Sequence, residues 1–128
     1  MGAASGQANK GKVLIVEDHS DSARALARLL KVLGYNVDVA LGFVEGKQKA
    51  DENKYDLLLC DLTLRDGNGL DLIRHLRQQK SPIKAIALTG MNTPRDQQNC
   101  KEAGFNLHLA KPLDFPVLKQ NIERLMAT

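Results

Sequence analysis

The chain has 128 residues, enough for one domain with its own hydrophobic core and too few for two ordinary ones. Apolar residues make up 43% and charged residues 26%, which excludes a disordered or fibrous chain. The net charge is only +3 and basic residues form no run, so we expect no direct nucleic-acid binding. No stretch approaches the roughly 20 apolar residues of a membrane span, and we expect a cytoplasmic domain without membrane contact.

The amino terminus and the two cysteines carry little functional signal. Residues 1–11 are small and polar and lack the apolar stretch of a signal peptide, so we interpret them as a flexible tail or linker. The folded domain is then expected to span 12–128. Cys60 and Cys100 match no metal-ligand spacing. Cys60 lies within an apolar run, which favours a buried thiol over a redox sensor and agrees with a reducing compartment.

Short apolar runs along the chain predict five β-strands. They cover residues 12–16, 36–40, 56–60, 84–88 and 106–109. The first, third and fourth runs are almost continuously apolar, which is typical of strands buried on both faces of a parallel sheet. The second run alternates, with Val37 and Val39 separated by Asp38, and this pattern indicates an edge strand.

Helical patterns separate and follow these runs. They cover residues 20–33, 42–53, 70–79, 93–103 and 116–126. The first carries Leu26, Leu30 and Leu33 on one stripe before Gly34 ends it. The second and fourth are weaker, but parallel strands need a crossover there. Five alternations of strand and helix predict an α/β fold, a three-layer (βα)5 arrangement with a parallel sheet between helices.

Side chains that can bind ligands or take part in catalysis follow four of the five predicted strands. Glu17 and Asp18 follow the first, Asp61 the third, Thr89 the fourth and Lys111 the fifth. Ligands of open α/β sheets bind beyond the carboxyl ends of the strands, so we expect these side chains to converge.

The predicted cluster contains three carboxylates, one hydroxyl and one ammonium group. Carboxylates packed together repel one another and need a cation, and Mg²⁺ is the hard divalent ion that suits oxygen ligands. A metal ion and a lysine around an aspartate favour an anionic ligand such as a phosphoryl group. An aspartate can serve as the nucleophile that accepts it.

At this point the chain resembles the CheY-like receiver domains of two-component response regulators and hybrid histidine kinases. The motifs that carry the resemblance are Glu17-Asp18, Asp61, Thr89 and Lys111-Pro112, each at a predicted strand end and in the family's order. The resemblance covers residues 12–128. It implies a flavodoxin-like sheet in the order 2-1-3-4-5.

The resemblance also implies a role for each site residue. Asp61 would be the phospho-acceptor, and Glu17 and Asp18 would hold Mg²⁺ together with Asp61 and the backbone carbonyl of Thr63. Lys111 would pair with the acidic site and then with the phosphoryl group, and Lys111-Pro112 would be joined by a cis peptide.

The resemblance further implies a switch and a phosphorelay. Thr89 would shift towards the phosphoryl oxygens and transmit the change. The partner would be a histidine kinase or a histidine phosphotransfer protein. The domain would accept phosphate without being an enzyme in its own right.

Three further positions lie near the predicted site. One departs from the common pattern of receiver domains, and two would tune how long the phosphoryl group persists. His108 stands where many receiver domains carry Tyr or Phe, three residues before the lysine. It could swing inwards as a switch, contact a partner, or be a half-exposed strand residue without a role. Thr63 and Met91, two residues beyond Asp61 and Thr89, would tune the phosphoryl lifetime. Met91 cannot hold an attacking water by a strong hydrogen bond, so we expect it to slow hydrolysis.

Other functions remain open at this stage. A haloacid-dehalogenase-like phosphatase would need a second aspartate two residues after its nucleophile, where this chain has Thr63. A pseudo-receiver binding module would typically have lost a site residue, and none is lost here. The short stretch after the last predicted helix leads us to expect no DNA-binding output domain. We therefore favour a receiver domain of a larger sensor kinase over a stand-alone regulator.

Overall fold

The computed structural model describes residues 10–90 and 93–127. The strands are β1 (Lys12–Val16), β2 (Asn36–Ala40), β3 (Leu57–Asp61), β4 (Thr63–Leu64), β5 (Gly67–Asn68), β6 (Lys84–Thr89) and β7 (Leu107–Ala110). The helices are α1 (Ser20–Val32), α2 (Phe43–Glu52), α3 (Gly69–Gln78), α4 (Pro94–Ala103) and α5 (Phe115–Met126). Within these ranges, no helix has the length and apolar character needed to cross a membrane.

The five long strands form one parallel sheet in the order β2-β1-β3-β6-β7. Counted among the long strands alone, this is the expected order 2-1-3-4-5. The alternating run of β2 lies at an edge, as its pattern predicted, and the apolar runs of β1, β3 and β6 lie inside the sheet. The predicted fold class is therefore confirmed.

Helices cover both faces of the sheet and create two hydrophobic clusters. Successive residues of one strand point to opposite faces, so Leu58 packs with α3 residues such as Leu72, whereas Leu57 packs with α1 and α5 residues such as Leu30 and Ile122. All five of these side chains are fully buried. This packing fixes the strands, and with them the positions of the residues at the strand ends.

The predicted boundaries of the long strands and helices lie within one residue of the observed ones, and two of the differences concern the site. We predicted that Asp61 and Thr89 follow their strands, but they are the last residues of β3 and β6. Pairing extends that far because Asp61 lies opposite Leu88 and Thr89 lies opposite Ala110. Their backbones are thus held by the sheet and not by a loop.

A two-stranded hairpin follows β3 and was not predicted. In it Thr63 pairs with Asn68 and Leu64 pairs with Gly67 in antiparallel register. The Asn68 side chain then accepts a hydrogen bond of 2.7 Å from the backbone N–H of Leu70 and caps α3. Strands of two residues are too short for hydrophobic periodicity to reveal.

The hairpin also supports the start of α2. Its Asp66 carboxylate accepts hydrogen bonds from the backbone N–H groups of Phe43 at 2.7 Å and Val44 at 3.1 Å. These bonds lower the pKa of Asp66, because they stabilise the charged carboxylate. The N-cap residue Gly42 has no side chain, so a carboxylate 24 residues further along the chain does the capping.

The cysteines agree with the sequence analysis. Cys60 and Cys100 are both buried free thiols. Burial raises the pKa of the Cys60 thiol, and the nearby charges of Asp61 and Glu17 raise it further. A thiol of this kind is unreactive, which favours core packing over redox sensing.

Gly69 occupies a position where no side chain fits. A Cβ atom there would lie 2.5 Å from the backbone oxygen of Asp61 and 3.0 Å from Cys60 Sγ. We predict that Gly69→Ala lowers the free energy of unfolding by about 1–3 kcal/mol, because the start of α3 must move away from β3. Urea unfolding followed by circular dichroism would measure the loss.

Gly90→Ala is the matched control, because nothing lies within 4 Å of a Cβ atom at that position. We expect it to change the free energy of unfolding by less than about 0.5 kcal/mol. Equal stability of the Gly69→Ala variant and the parent chain would show that the α3 start is free to shift.

Candidate functional site

The predicted site residues lie at one end of the sheet, where the parallel strands finish. Glu17 and Asp18 directly follow β1, Asp61 ends β3, Thr89 ends β6, and Lys111 directly follows β7. The backbone N–H of Lys111 donates a hydrogen bond of 2.7 Å to the carbonyl oxygen of Thr89, which ties the end of β7 to the end of β6. Convergence at the carboxyl edge follows from the parallel topology.

Lys111 connects two of the three acidic residues. Its Nζ lies 2.8 Å from Asp61 Oδ2 and 3.1 Å from Glu17 Oε2. Burial disfavours the charged ammonium group, but the hydrogen bonds to the two carboxylates outweigh it and raise the pKa of Lys111. The lysine is therefore a fixed positive charge between Glu17 and Asp61.

The carboxylates are shielded from water. Glu17 is 1% exposed and Asp61 is 6% exposed. Burial raises the pKa of Glu17, and the hydrogen bond with Asp61 raises it further, although Lys111 opposes both effects. Two negative groups share one lysine in a poorly solvated place, so the cluster has a strong demand for additional positive charge.

Asp18 is held by the hairpin that follows β3. Its Oδ2 accepts a hydrogen bond of 2.8 Å from the backbone N–H of Arg65, and Arg65 Nε lies 3.9 Å from the same oxygen. The Asp18 side chain is only 7% exposed, whereas that of Arg65 is 80% exposed. The hairpin thus orients Asp18 mainly through a backbone donor, and the exposed guanidinium adds little.

The backbone after β3 orients the Asp61 carboxylate. The N–H of Thr63 donates a hydrogen bond of 3.1 Å to Asp61 Oδ1, while Oδ2 faces Lys111. Thr63 therefore lies beside the Asp61 carboxylate, and the metal-binding role of its backbone carbonyl stays a prediction. Its side chain is exposed at the rim of the site.

The remaining predicted positions have different surroundings. Thr89 is 3% exposed, and the Lys111–Pro112 peptide bond is cis, as the resemblance implied. His108 is half-buried on the edge strand β7. Hydrogen bonds from Thr93 lower the pKa of Asp96 on α4, and an electrostatic interaction with His108 is a smaller influence in the same direction. Met91 lies outside the described residues.

Sequence reasoning missed one residue of the cluster. His19 Nδ1 lies 3.1 Å from Glu17 Oε1 and 3.4 Å from Asp18 Oδ1. The signal was a histidine directly after the acidic pair. This signal is weak, because a histidine at a predicted helix start is most often a surface residue.

The arrangement fits a divalent cation. Carboxylate oxygens of Glu17, Asp18 and Asp61 line the end of the sheet, and the backbone of Thr63 lies next to Asp61. Oxygen donors of this kind suit Mg²⁺, which keeps several waters and takes one or two carboxylates. The burial of two carboxylates beside a single lysine gives a physical reason for such an ion.

Comparison with known proteins agrees with this geometry. The family model described as "Response regulator receiver domain" matches residues 13–123. The sensor protein EvgS of Escherichia coli is 35% identical over 116 residues, which are 91% of this chain and 10% of EvgS. The response regulator ArlR of Staphylococcus saprophyticus is 35% identical over 116 residues, which are 90% of this chain and 52% of ArlR.

Comparison with a solved structure shows that the similarity extends to the three-dimensional fold. The response regulator TrrA of Thermotoga maritima, in complex with Mg²⁺-BeF, is 26% identical with a TM-score of 0.80, over 89% of this chain and 97% of that one. The chain spans about half of ArlR and a tenth of EvgS, so the match concerns only part of those proteins. By its family match, its sheet order and its similarity to these relatives, the chain belongs to the response regulator receiver domains of two-component signalling.

Proposed function

We propose that this receiver domain accepts a phosphoryl group on Asp61 from a phosphohistidine of a partner protein. The observation that carries the proposal is the placement of Lys111 Nζ 2.8 Å from Asp61 Oδ2, inside a cluster that holds two further acidic side chains. An isolated aspartate at a strand end would need no such counter-charge. The proposed acceptor is nearly buried, and the side chain of Thr63, two residues beyond it, is exposed.

The transfer needs one bond to form and one to break. A carboxylate oxygen of Asp61 attacks the phosphorus, the P–O bond forms, and the P–N bond to the partner's imidazole breaks. Lys111 would pair with the phosphoryl oxygens, and the contact of its ammonium group with the attacking carboxylate supports this role. Thr89 supplies a hydroxyl group at the end of the neighbouring strand.

We further propose that Mg²⁺ is held by Glu17, Asp18, Asp61 and the backbone carbonyl of Thr63. When bound, the ion supplies positive charge that offsets the carboxylates and the oxygens of the transferred group. Asp18 is oriented for this role by the Arg65 backbone N–H, and Asp61 by the Thr63 N–H. These donors leave the side chains little freedom to reorganise, which favours binding.

The new charge on Asp61 would then change the surface that a partner reads. Thr89 and Lys111 are tied together by the hydrogen bond between their backbones, so a movement of Thr89 is passed to the end of β7. We propose His108 on β7 as part of this switch, since it lies on the strand that would move. The element would have two states whose balance the phosphoryl group shifts.

We propose that the domain, residues 12–128 behind a tail of residues 1–11, works within a larger sensor kinase in the cytoplasm. EvgS is a sensor protein of which this chain matches a tenth, and this similarity supports such a context. ArlR is a response regulator with equal identity, so a separate regulator is the second candidate. A histidine kinase or a histidine phosphotransfer protein would be the donor in either case.

Phosphorylation of Asp61 can be tested directly. Incubation of the chain with Mg²⁺ and acetyl phosphate, or with phosphoramidate as a P–N donor, should add one phosphoryl group, because the proposed site assembles acceptor, lysine and metal ligands. Intact-mass spectrometry measures the addition. We expect none after chelation of Mg²⁺.

Two variants make the test specific to the proposed acceptor. Asp61→Asn should gain no mass, whereas Asp71→Asn, which removes an exposed carboxylate on α3, should gain mass like the parent chain. Equal gains in the parent chain and Asp61→Asn would assign the phosphoryl group to another residue. No gain from either donor, together with normal Mg²⁺ binding, would favour a pseudo-receiver that only binds partners.

Metal binding should stabilise the fold. We predict that Mg²⁺ at about one hundred times its Kd raises the free energy of unfolding by about 2.7 kcal/mol, because the ion binds only the folded site. Asp18→Asn should weaken this stabilisation by at least about 1.4 kcal/mol, which corresponds to a tenfold loss of affinity. Urea unfolding with Mg²⁺ or with a chelator measures both values.

Asp21→Asn is the control for the metal experiment. It removes an exposed carboxylate from the first turn of α1, three residues beyond Asp18, and should leave the Mg²⁺-dependent stabilisation unchanged. The same Mg²⁺ effect in Asp18→Asn as in the parent chain would contradict the proposed ligand set.

A further inference from the structure

His19 lies against two carboxylates that each present one oxygen to it. Glu17 Oε2 accepts a hydrogen bond from Lys111 Nζ at 3.1 Å, and its other oxygen, Oε1, lies 3.1 Å from His19 Nδ1. Asp18 Oδ2 accepts the backbone N–H of Arg65 at 2.8 Å, and its other oxygen, Oδ1, lies 3.4 Å from the same nitrogen. Protein donors thus hold Glu17 Oε2 and Asp18 Oδ2, and the other oxygen of each carboxylate lies against the imidazole nitrogen. Glu17 Oε1 also accepts a hydrogen bond of 3.3 Å from the backbone N–H of His19.

The distances from His19 Nδ1 to the two carboxylate oxygens match those between neighbouring ligands of one metal ion. Adjacent ligands at ~2.1 Å from an ion lie ~3.0 Å apart in an octahedral site. In a tetrahedral site with similar bond lengths they lie ~3.4 Å apart. The observed separations of 3.1 and 3.4 Å fall within this interval. An ion bound by Glu17, Asp18 and His19 would take these atoms as neighbouring ligands.

The three side chains differ in accessibility in a way that suits ion capture. The carboxylates of Glu17 and Asp18 are 1% and 7% exposed, whereas the imidazole of His19 is 68% exposed. The oxygens are therefore preorganised and the nitrogen stands at the mouth of the site. Among the described residues, Glu17, Asp18 and His19 are the group of at least three histidine, cysteine or acidic side chains whose ligand atoms all lie within 4.8 Å of one another.

We propose that His19 is a nitrogen ligand that makes this site prefer a first-row transition-metal ion, Zn²⁺ above all, over Mg²⁺. Imidazole binds Zn²⁺ and its neighbours well, whereas Mg²⁺ selects oxygen. Three protein ligands and a water are a common Zn²⁺ set. The inference rests on the proposed function in so far as it shares Glu17 and Asp18 with the proposed Mg²⁺ site, so the two ions compete.

The test compares Zn²⁺ and Mg²⁺ affinities of the whole chain by isothermal titration calorimetry. His19→Asn should weaken Zn²⁺ binding at least about tenfold, as expected for a lost ligand, and should change Mg²⁺ binding by less than about twofold. His75→Asn is the matched control, because His75 pairs with Asp51 at 2.8 Å on another part of the surface. It should change neither affinity. Mg²⁺ should displace Zn²⁺ competitively.

Three results would overturn the proposal. They are no Zn²⁺ binding to the parent chain, equal Zn²⁺ affinity of the parent chain and His19→Asn, and equal losses of both ions in that variant, which would make His19 a structural residue. The acetyl phosphate assay on the parent chain separates this proposal from the proposed function. A parent chain that takes no phosphate but loses Zn²⁺ affinity through His19→Asn would refute phosphorylation and leave the transition-metal site standing.

Discussion

The contact between Lys111 and two buried carboxylates is the interaction on which the rest of the site depends. Glu17 and Asp61 lie at the ends of separate strands and are almost inaccessible to solvent. Lys111 contacts both of them from the end of a third strand. A shared lysine makes the pair tolerable but does not neutralise the neighbouring Asp18 as well. The fold therefore holds unbalanced negative charge at one end of the sheet, and that charge makes the end attractive to cations.

The scaffold explains why this charge stays in place. Asp61 belongs to β3 itself, so its backbone is fixed by pairing with β6, and the start of α3 packs on the same backbone through Gly69. The hairpin after β3 supplies the N–H groups that orient Asp61 and Asp18. Receiver domains are phospho-acceptors rather than catalytic enzymes, and a rigid acidic site that binds a cation suits that task.

Strong hydrophobic patterns made the fold predictable, and positions at strand ends made most of the site predictable. Nearly continuous apolar runs revealed the three central strands and shorter or alternating patterns the two edge strands, and parallel topology then required Glu17, Asp61 and Lys111 to meet. The hairpin at Thr63 was invisible because two-residue strands have no period. His19 was missed because only three-dimensional contacts turn a histidine at a helix start into a neighbour of two carboxylates.

The most direct test of this account removes the lysine. Without Mg²⁺, Lys111→Met should lower the free energy of unfolding by about 2 kcal/mol, a value reduced for the partial exposure of Lys111. Added Mg²⁺ should then stabilise the variant more than the parent chain, because the ion replaces the missing charge. Lys119→Met, on the exposed face of α5, controls for the loss of a lysine. Equal stability of Lys111→Met and the parent chain without Mg²⁺, or equal gains with it, would contradict the account.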